Sequence, residues 1–252
     1  MLELCARAHT LEDIETILAL GFKILEITLP CSGGLEEERA WMELAKERGL
    51  TLMGHGPNEG KPLDLNHLEN KSLPKFRQAL EAAGRLGAKL LTIHFNVDSR
   101  WIPPDTILGK IDLLGRIAGW GSELGVQVNL ENLSEASADL KKALLRVPSL
   151  GLTLDVGHAM LTHPTSTAPA IIRDLFDRIS HLHLHDNHGG KSPRDDLHLI
   201  PGEGKVAFAE LFHLLKERGY NRTATLELAP HEMAVAQKHV TTLWLQETSN
   251  VR

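Results

Sequence analysis

The sequence predicts an α/β protein, a single (β/α)8 barrel across residues 1–252 with a metal site at the C-terminal rim of its strands. Three observations carry that reading. Strand-like and helical patterns alternate eight times, as a parallel sheet covered by helices requires. Glycine stands at the same helix-to-strand junction in five units, at Gly21, Gly49, Gly87, Gly125 and Gly219. Six strand-like segments end on a side chain that binds metals: 50–55 on His55, 89–94 on His94, 126–131 on Glu131, 152–155 on Asp155, 179–185 on His185 and 223–227 on Glu227.

Residues 2–8 open the first unit. Leu11, Ile14, Ile17 and Leu18 then fall on one helical face, with Thr10 and Asp13 spaced as a capping box. Each junction glycine accepts the left-handed backbone that ends a helix and turns the chain into the next strand. Strand two follows Gly21 over 22–28, and strand three follows Gly49. Phe76, Leu80, Ala83 and Leu86 form the stripe of a later helix that ends at Gly87, before strand four. Pro103 and Pro104 start the next helix, whose stripe is Ile107, Ile111, Leu114 and Ile117; Gly125 then leads into strand five. The turn 148–151 precedes strand six, Asp177 and Arg178 precede strand seven, and Gly219 precedes strand eight. Met233, Ala236, Val240, Leu243 and Trp244 repeat at helical spacing in the last element. The strands are mostly continuous apolar runs, the pattern of a sheet covered on both faces. A doubly wound open sheet is the competing architecture. Metal-binding residues on strands three to eight fit a closed rim better.

Of the 252 residues 42% are hydrophobic but only 4% aromatic, so the core is expected to be aliphatic. Two cysteines, Cys5 and Cys31, supply no disulfide framework and point to a reducing compartment. Glu3, Arg7, Glu12 and Asp13 interrupt any apolar leader, and no run reaches the ~18–20 apolar residues of a membrane span. A soluble cytoplasmic protein without a membrane partner is expected. The net charge is −6, with 27 basic against 33 acidic residues, and the longest basic run is Lys141–Lys142. Duplex DNA binders concentrate positive charge, because counterion release drives the association. A nucleic-acid partner is therefore disfavoured, though a local patch is compatible with the overall charge. No interface signature fixes the oligomeric state.

Strand five ends Asn129–Leu130–Glu131–Asn132, and strand six ends Asp155–Val156–Gly157–His158. Strand seven reads His181–Leu182–His183–Leu184–His185–Asp186, whose alternation puts the three histidines on one face. Asp196, His198 and Gly202–Glu203–Gly204 follow, and strand eight ends at Glu227. A lone histidine at a strand end is more often a satisfied polar residue than a ligand. Glu26 on strand two reads as the salt-bridge partner of a barrel lysine. Nine interior ionisable groups at one rim, however, are costly unless cations hold them. Gly202–Glu203–Gly204 alone completes no nucleotide fingerprint, and His231–Glu232 lacks the second histidine of a zincin motif.

These motifs resemble the xylose-isomerase-like barrel superfamily, which includes the sugar-phosphate isomerases and epimerases and the endonuclease IV-type (family 2) AP endonucleases. The resemblance covers nearly the whole chain. Two readings of it compete. In the first, the chain is a sugar or sugar-phosphate isomerase or epimerase. That branch holds one divalent metal, zinc or manganese, through Glu131, Asp155, His183 or His185, and Glu227. Glu131 and Glu227 are its catalytic proton carriers, acting through a metal-stabilised enediolate, and substrate hydroxyls are bound by residues such as His185 and Asn132. In the second, the pattern of endonuclease IV implies up to three zinc ions on His55, His94, Glu131, Asp155, His158, His183, Asp196, His198 and Glu227, with phosphodiester hydrolysis as the activity. That family inserts an arginine loop and an aromatic wedge into DNA. Here the corresponding stretches are Pro30–Cys31–Ser32–Gly33–Gly34 and Gly56–Pro57–Asn58, which supply neither. The isomerase or epimerase reading is expected. The zinc phosphodiesterase is the alternative, and a non-catalytic metal-binding barrel the third.

Overall fold

In the computed structural model, which describes residues 2–246, eight parallel strands close in sequence order into a barrel, with β8 pairing back onto β1. The strands are β1 (Glu3–Ala8), β2 (Ile24–Thr28), β3 (Thr51–Asn58), β4 (Leu90–His94), β5 (Gln127–Glu131), β6 (Gly151–Asp155), β7 (Ile179–Leu184) and β8 (Thr223–Leu226). The helices after them are α1 (Ile14–Ala19), α2 (Gly34–Arg48), α3 (Leu73–Leu86), α4 (Pro104–Leu124), α5 (Ser137–Arg146), α6 (Ala168–Leu175), α7 (Phe208–Glu217) and α8 (Met233–Gln246). Local signals behave as their chemistry dictates. The Thr10 amide donates to the Asp13 carboxylate at 3.0 Å ahead of α1. Gly49 ends α2 at φ +62° with its N–H on Ala45 O.

The outward faces of the strands pack under the helices in one aliphatic core, to which Leu91, Ile93, Leu130, Leu152, Leu182 and Ala224 belong. The barrel lumen is different. Its floor is a small apolar plug of Cys5, Ile24 and Met53, with Leu90 against it. One pleat higher the lining turns polar: Thr92 and Thr153 hydroxyls meet at 2.9 Å, and Asn129 donates to Thr153 at 3.0 Å. A pleat higher again come Arg7, His55, His94, Glu131, Asp155 and His183, with Glu227 just past β8. Period-two alternation thus stacks an ionisable layer on a hydroxyl layer on an apolar floor.

One buried ion pair braces the mouth from outside. Lys110 on α4 is fully buried, with Nζ 2.5 Å from Glu59 Oε2 and 3.2 Å from Pro62 O. Glu59 Oε1 accepts the Asn96 amide at 3.0 Å, so the pair ties the loops after β3 and β4 to one helix. Replacing Lys110 with alanine leaves Glu59 buried and uncompensated, which costs ~3–5 kcal/mol. Chemical denaturation is expected to show that loss; a change below ~1 kcal/mol would mean that the pair is not buried as described. No described helix is long and apolar enough to cross a membrane.

Candidate metal centre

The nine residues expected as ligands fall, together with Glu26 and His185, into four groups of donors. Glu131, Asp155, His183 and Glu227 bring one donor atom each to within 4.8 Å of one another, as do His55, His94 and Glu131. His158, His185, Asp196 and His198 form the outer group, and Glu26, His55, His183 and Glu227 the fourth. The ladder explains the meeting: His94 pairs with Glu131 across β4–β5, and Asp155 with His183 across β6–β7.

Nδ1 of His183 is the point of convergence. It lies 3.3 Å from Glu131 Oε1, 3.5 Å from Glu227 Oε1 and 3.8 Å from Asp155 Oδ2. Yet Glu131 Oε1 and His183 Nδ1 are both buried without a hydrogen bond. Buried polar atoms are almost always satisfied. Three carboxylates and an imidazole sharing one small space fit a divalent cation, whose oxygen and nitrogen ligands these are. Zinc and manganese both suit the set.

Glu26 is what the sequence reading misplaced. It meets no lysine. Fully buried, its carboxylate lies 3.0 Å from His55 Nδ1, 3.0 Å from His183 Nε2 and 3.2 Å from His181 Nε2, and accepts from the Thr225 hydroxyl at 2.6 Å. A carboxylate on Nε2 fixes the tautomer of His183 and leaves Nδ1 free as a ligand, the usual outer-shell partner of a metal-bound histidine. Arg7, not singled out in the sequence, is also at the mouth. It donates to Glu26 O at 3.1 Å and to Thr28 Oγ1 at 2.9 Å, with Nε 3.9 Å from Glu227 Oε1. Strand parity was the signal available for both residues, since Arg7 and Glu26 occupy inward positions of β1 and β2.

Two further expected site residues are buried at the rim. Asn132, expected to bind substrate, spends both ends of its amide on the Asp155 backbone, at 2.8 and 2.9 Å, and so braces β5 against β6. His185, expected to contact substrate or replace His183, is fully buried behind the rim. Its Nε2 lies 3.0 Å from Asp155 Oδ2, and its ring stacks on His198 with centroids 3.8 Å apart. Its Nδ1 is buried without a hydrogen bond, and a ring nitrogen of His185 lies within 4.8 Å of donor atoms of His158, Asp196 and His198, so His185 is a fourth donor of the outer group. Gly157 makes room for it: a Cβ there would lie 2.1 Å from His185 Cε1. His55 also stands inside β3 rather than at its end, because the register shifts between His55 and Asn58 and the strand runs on to Asn58.

The outer group meets at Asp196 Oδ2, 3.1 Å from both His158 Nε2 and His198 Nε2. Charge is strongly organised here. Burial opposes the charge of Glu26 and Glu131, but facing histidines hold both carboxyls well below the ordinary range. Glu227 is likewise lowered, to about 2, against burial and mainly by His183 and His55. Burial disfavours imidazolium, yet the surrounding carboxylates raise His158 and His183 well above the usual value and His198 to about 9. Burial and then Arg7 lower His55. A cavity of about 590 Å³ opens beside the centre, with His94, His158 and Asp196 on its inner wall and Leu63, Trp101 and Leu161 among its apolar walls.

The sequence profile of the xylose isomerase-like TIM barrel family matches residues 14–247. The chain belongs to that family. It is similar to fructoselysine 3-epimerase of Shigella flexneri, 27% identical over 78% of this chain and 74% of that one. It is also similar to D-psicose 3-epimerase of Enterocloster bolteae, 26% identical over 85% of this chain and 75% of that one. Its fold is that of a crystallised D-tagatose 3-epimerase-like protein, with a TM-score of 0.86 at 22% identity and full coverage of both chains.

Proposed function

We propose that the protein is a divalent-metal-dependent sugar or sugar-phosphate isomerase or epimerase. The convergence of Glu131, Asp155 and Glu227 on the unsatisfied Nδ1 of His183 carries this reading. Similarity to two ketose 3-epimerases supports it. A cation held by those four residues supplies Lewis acidity, which acidifies a carbon-bound proton next to a carbonyl. Glu131 ends β5 and Glu227 follows β8; in the substrate complex one of the two would act as a carboxylate that takes the proton from carbon, and the other, entering the step protonated, would deliver its own proton to the opposite face. Glu26 holds His183 in the ligating tautomer, and Arg7 offsets the charge of Glu227. The adjoining cavity has room for a monosaccharide, with His94 and His158 placed to hydrogen-bond its hydroxyls.

Incubation of the manganese- or zinc-loaded protein with D-psicose in heavy water is expected to give the C3 epimer, with solvent deuterium at that carbon. Neither conversion nor exchange across ketohexoses and their phosphates would defeat the reading. Asp155→Ala is expected to lose metal and turnover while the barrel stays folded, since the rim is distinct from the packed core. Wild-type turnover in that variant would remove Asp155 from the site. A second reading, a multinuclear zinc phosphodiesterase, is favoured by one observation: the outer group of His158, His185, Asp196 and His198 holds more donors than single-cation proton transfer needs. Three zinc ions per chain together with cleavage of an abasic-site duplex would select it.

A further inference from the structure

The cavity beside the metal centre is lined unevenly. Its inner wall of His94, His158 and Asp196 offers hydrogen bonds to hydroxyls. Away from the centre the walls are Leu63, Trp101, Ile102, Leu133 and Leu161, carried by the loops after β3, β4, β5 and β6. Leu63 and Trp101 are 60% and 61% exposed, and large apolar side chains left open on one cavity mark a surface that a ligand covers. The polar side chains on that side, apart from the exposed Lys191, are spent within the wall. Asn96 Oδ1 accepts the Asp98 amide at 2.9 Å, the Ser134 hydroxyl donates to Asp98 Oδ2 at 2.8 Å, and Thr162 Oγ1 accepts from Arg100 at 3.0 Å. Little there is left to pair with the hydroxyls of a sugar.

Arg100 fixes this wall in place by drawing three loops together. Its guanidinium sits on the fully buried carboxylate of Asp98, with Nε 3.0 Å from Oδ1 and Nη2 2.6 Å from Oδ2, and it donates to the carbonyls of Ser134 and Thr162. Its Cζ lies 5.4 Å from the centroid of the Trp101 ring, so the same group backs the indole. Thr162 takes a left-handed φ of +62°, which a β-branched residue adopts only where its surroundings dictate it. Its amide donates to Gly190 O at 2.7 Å and so brings in the loop after β7. The apolar wall is therefore pre-formed. At about 590 Å³ the cavity falls in the ~300–1,000 Å³ range of sites for drug-sized ligands, which a bare hexose does not fill.

We propose that the far side of this cavity is a subsite for an apolar substituent, so that the substrate is a sugar carrying an aryl or alkyl group rather than a free monosaccharide. The polyol end meets His94 and His158, and the substituent covers Leu63 and Trp101. Trp101 determines this specificity, and Arg100 is the positioning residue behind it. A free sugar reaching that far strands its hydroxyls against apolar walls, each giving up a hydrogen bond to water. D-psicose is then a substrate, but a poor one. The inference rests on the sugar reading above and narrows its substrate class.

The test uses manganese-loaded full-length protein and three probes: D-psicose, 1-O-benzyl-D-psicose and 6-O-benzyl-D-psicose, which place the ring at either end of the sugar. Calorimetry gives the binding of each, and deuterium exchange its turnover. One benzyl derivative is expected to bind about 10–100-fold tighter than D-psicose, with kcat/KM raised to match. Trp101→Ala should remove most of that gain and Trp101→Phe should restore it. Arg100→Lys keeps the charge but loses the fork, and should shrink the same benzyl-to-parent ratio while metal content stays at the wild-type level, a split that general loss of structure would not give. Benzyl derivatives that both bind no better than D-psicose would overturn the proposal, as would a gain undiminished in Trp101→Ala. Tighter binding of a benzyl derivative without epimerisation of any probe would sink the reaction and keep the subsite. Epimerisation of D-psicose with no gain from either ring would do the reverse.

Discussion

Glu131→Gln is expected to abolish epimerisation, lowering kcat by at least ~10³-fold. Two losses coincide at this residue. Its Oε1 faces His183 at 3.3 Å and His158 at 3.1 Å, where a cation would be held, while Oε2 lies 3.0 Å from His94 Nε2. Glutamine keeps the shape but presents an NH2 group, which neither ligates nor accepts a proton from carbon. The variant should therefore lose one of the two proton carriers and a ligand shared by two donor groups. Barrel strands should persist, because Val128 and Leu130 still anchor β5 in the core under the helices. Metal analysis and turnover on the same preparation check both parts. Full metal content with lost turnover would keep Glu131 as a proton carrier and remove it from the ligands, whereas unchanged turnover would remove it from the site altogether.

The fold is legible in the sequence because its signals are local. A left-handed glycine ends α2, α3 and α4, and apolar stripes mark the buried helix faces. The gathering of ligands at one rim is legible for a similar reason, since parallel strands all end on the same side. What each ligand-type residue touches is not. Asn132 looks like a residue facing a substrate until the neighbouring strand is placed, when the Asp155 backbone takes both ends of its amide. His183 and His185 share a face by alternation. Only the end of β7 at Leu184, together with the stacking on His198, separates the centre from the layer behind it. Glu26 was assigned a lysine partner because interior carboxylates need a cation. The imidazoles of His55, His181 and His183 meet that need from strands β3 and β7, 29 to 157 residues away in sequence. Register and closure decide such partners, and no short window of sequence contains either.

The same crowding of imidazoles makes metal binding steeply dependent on pH. The carboxyls of Glu26, Glu131 and Glu227 are depressed in the folded protein, so the stability they contribute is present above the ordinary carboxyl range, near 4.3, and is lost as pH falls through their folded values. His158, His183 and His198 are raised, so their contribution is complete below about 6.5 and drains away as pH rises, for His198 around 9. Metal-free protein should thus be most stable between about pH 4.5 and 6.5 and weaken toward pH 9. A cation and a proton compete for Nδ1 of His183, because Nε2 is committed to Glu26. Binding must then expel protons, and affinity should climb about tenfold per pH unit for each proton displaced, or ~1.4 kcal/mol. The gain in Tm on adding manganese is accordingly expected to widen from pH 6 to pH 9, just where the metal-free protein is losing stability. Calorimetry at pH 6, 7.5 and 9, with and without the ion, measures it. A gain that is flat or that shrinks toward alkaline pH would mean that the cation does not displace these imidazolium protons, and that His183 is not its ligand.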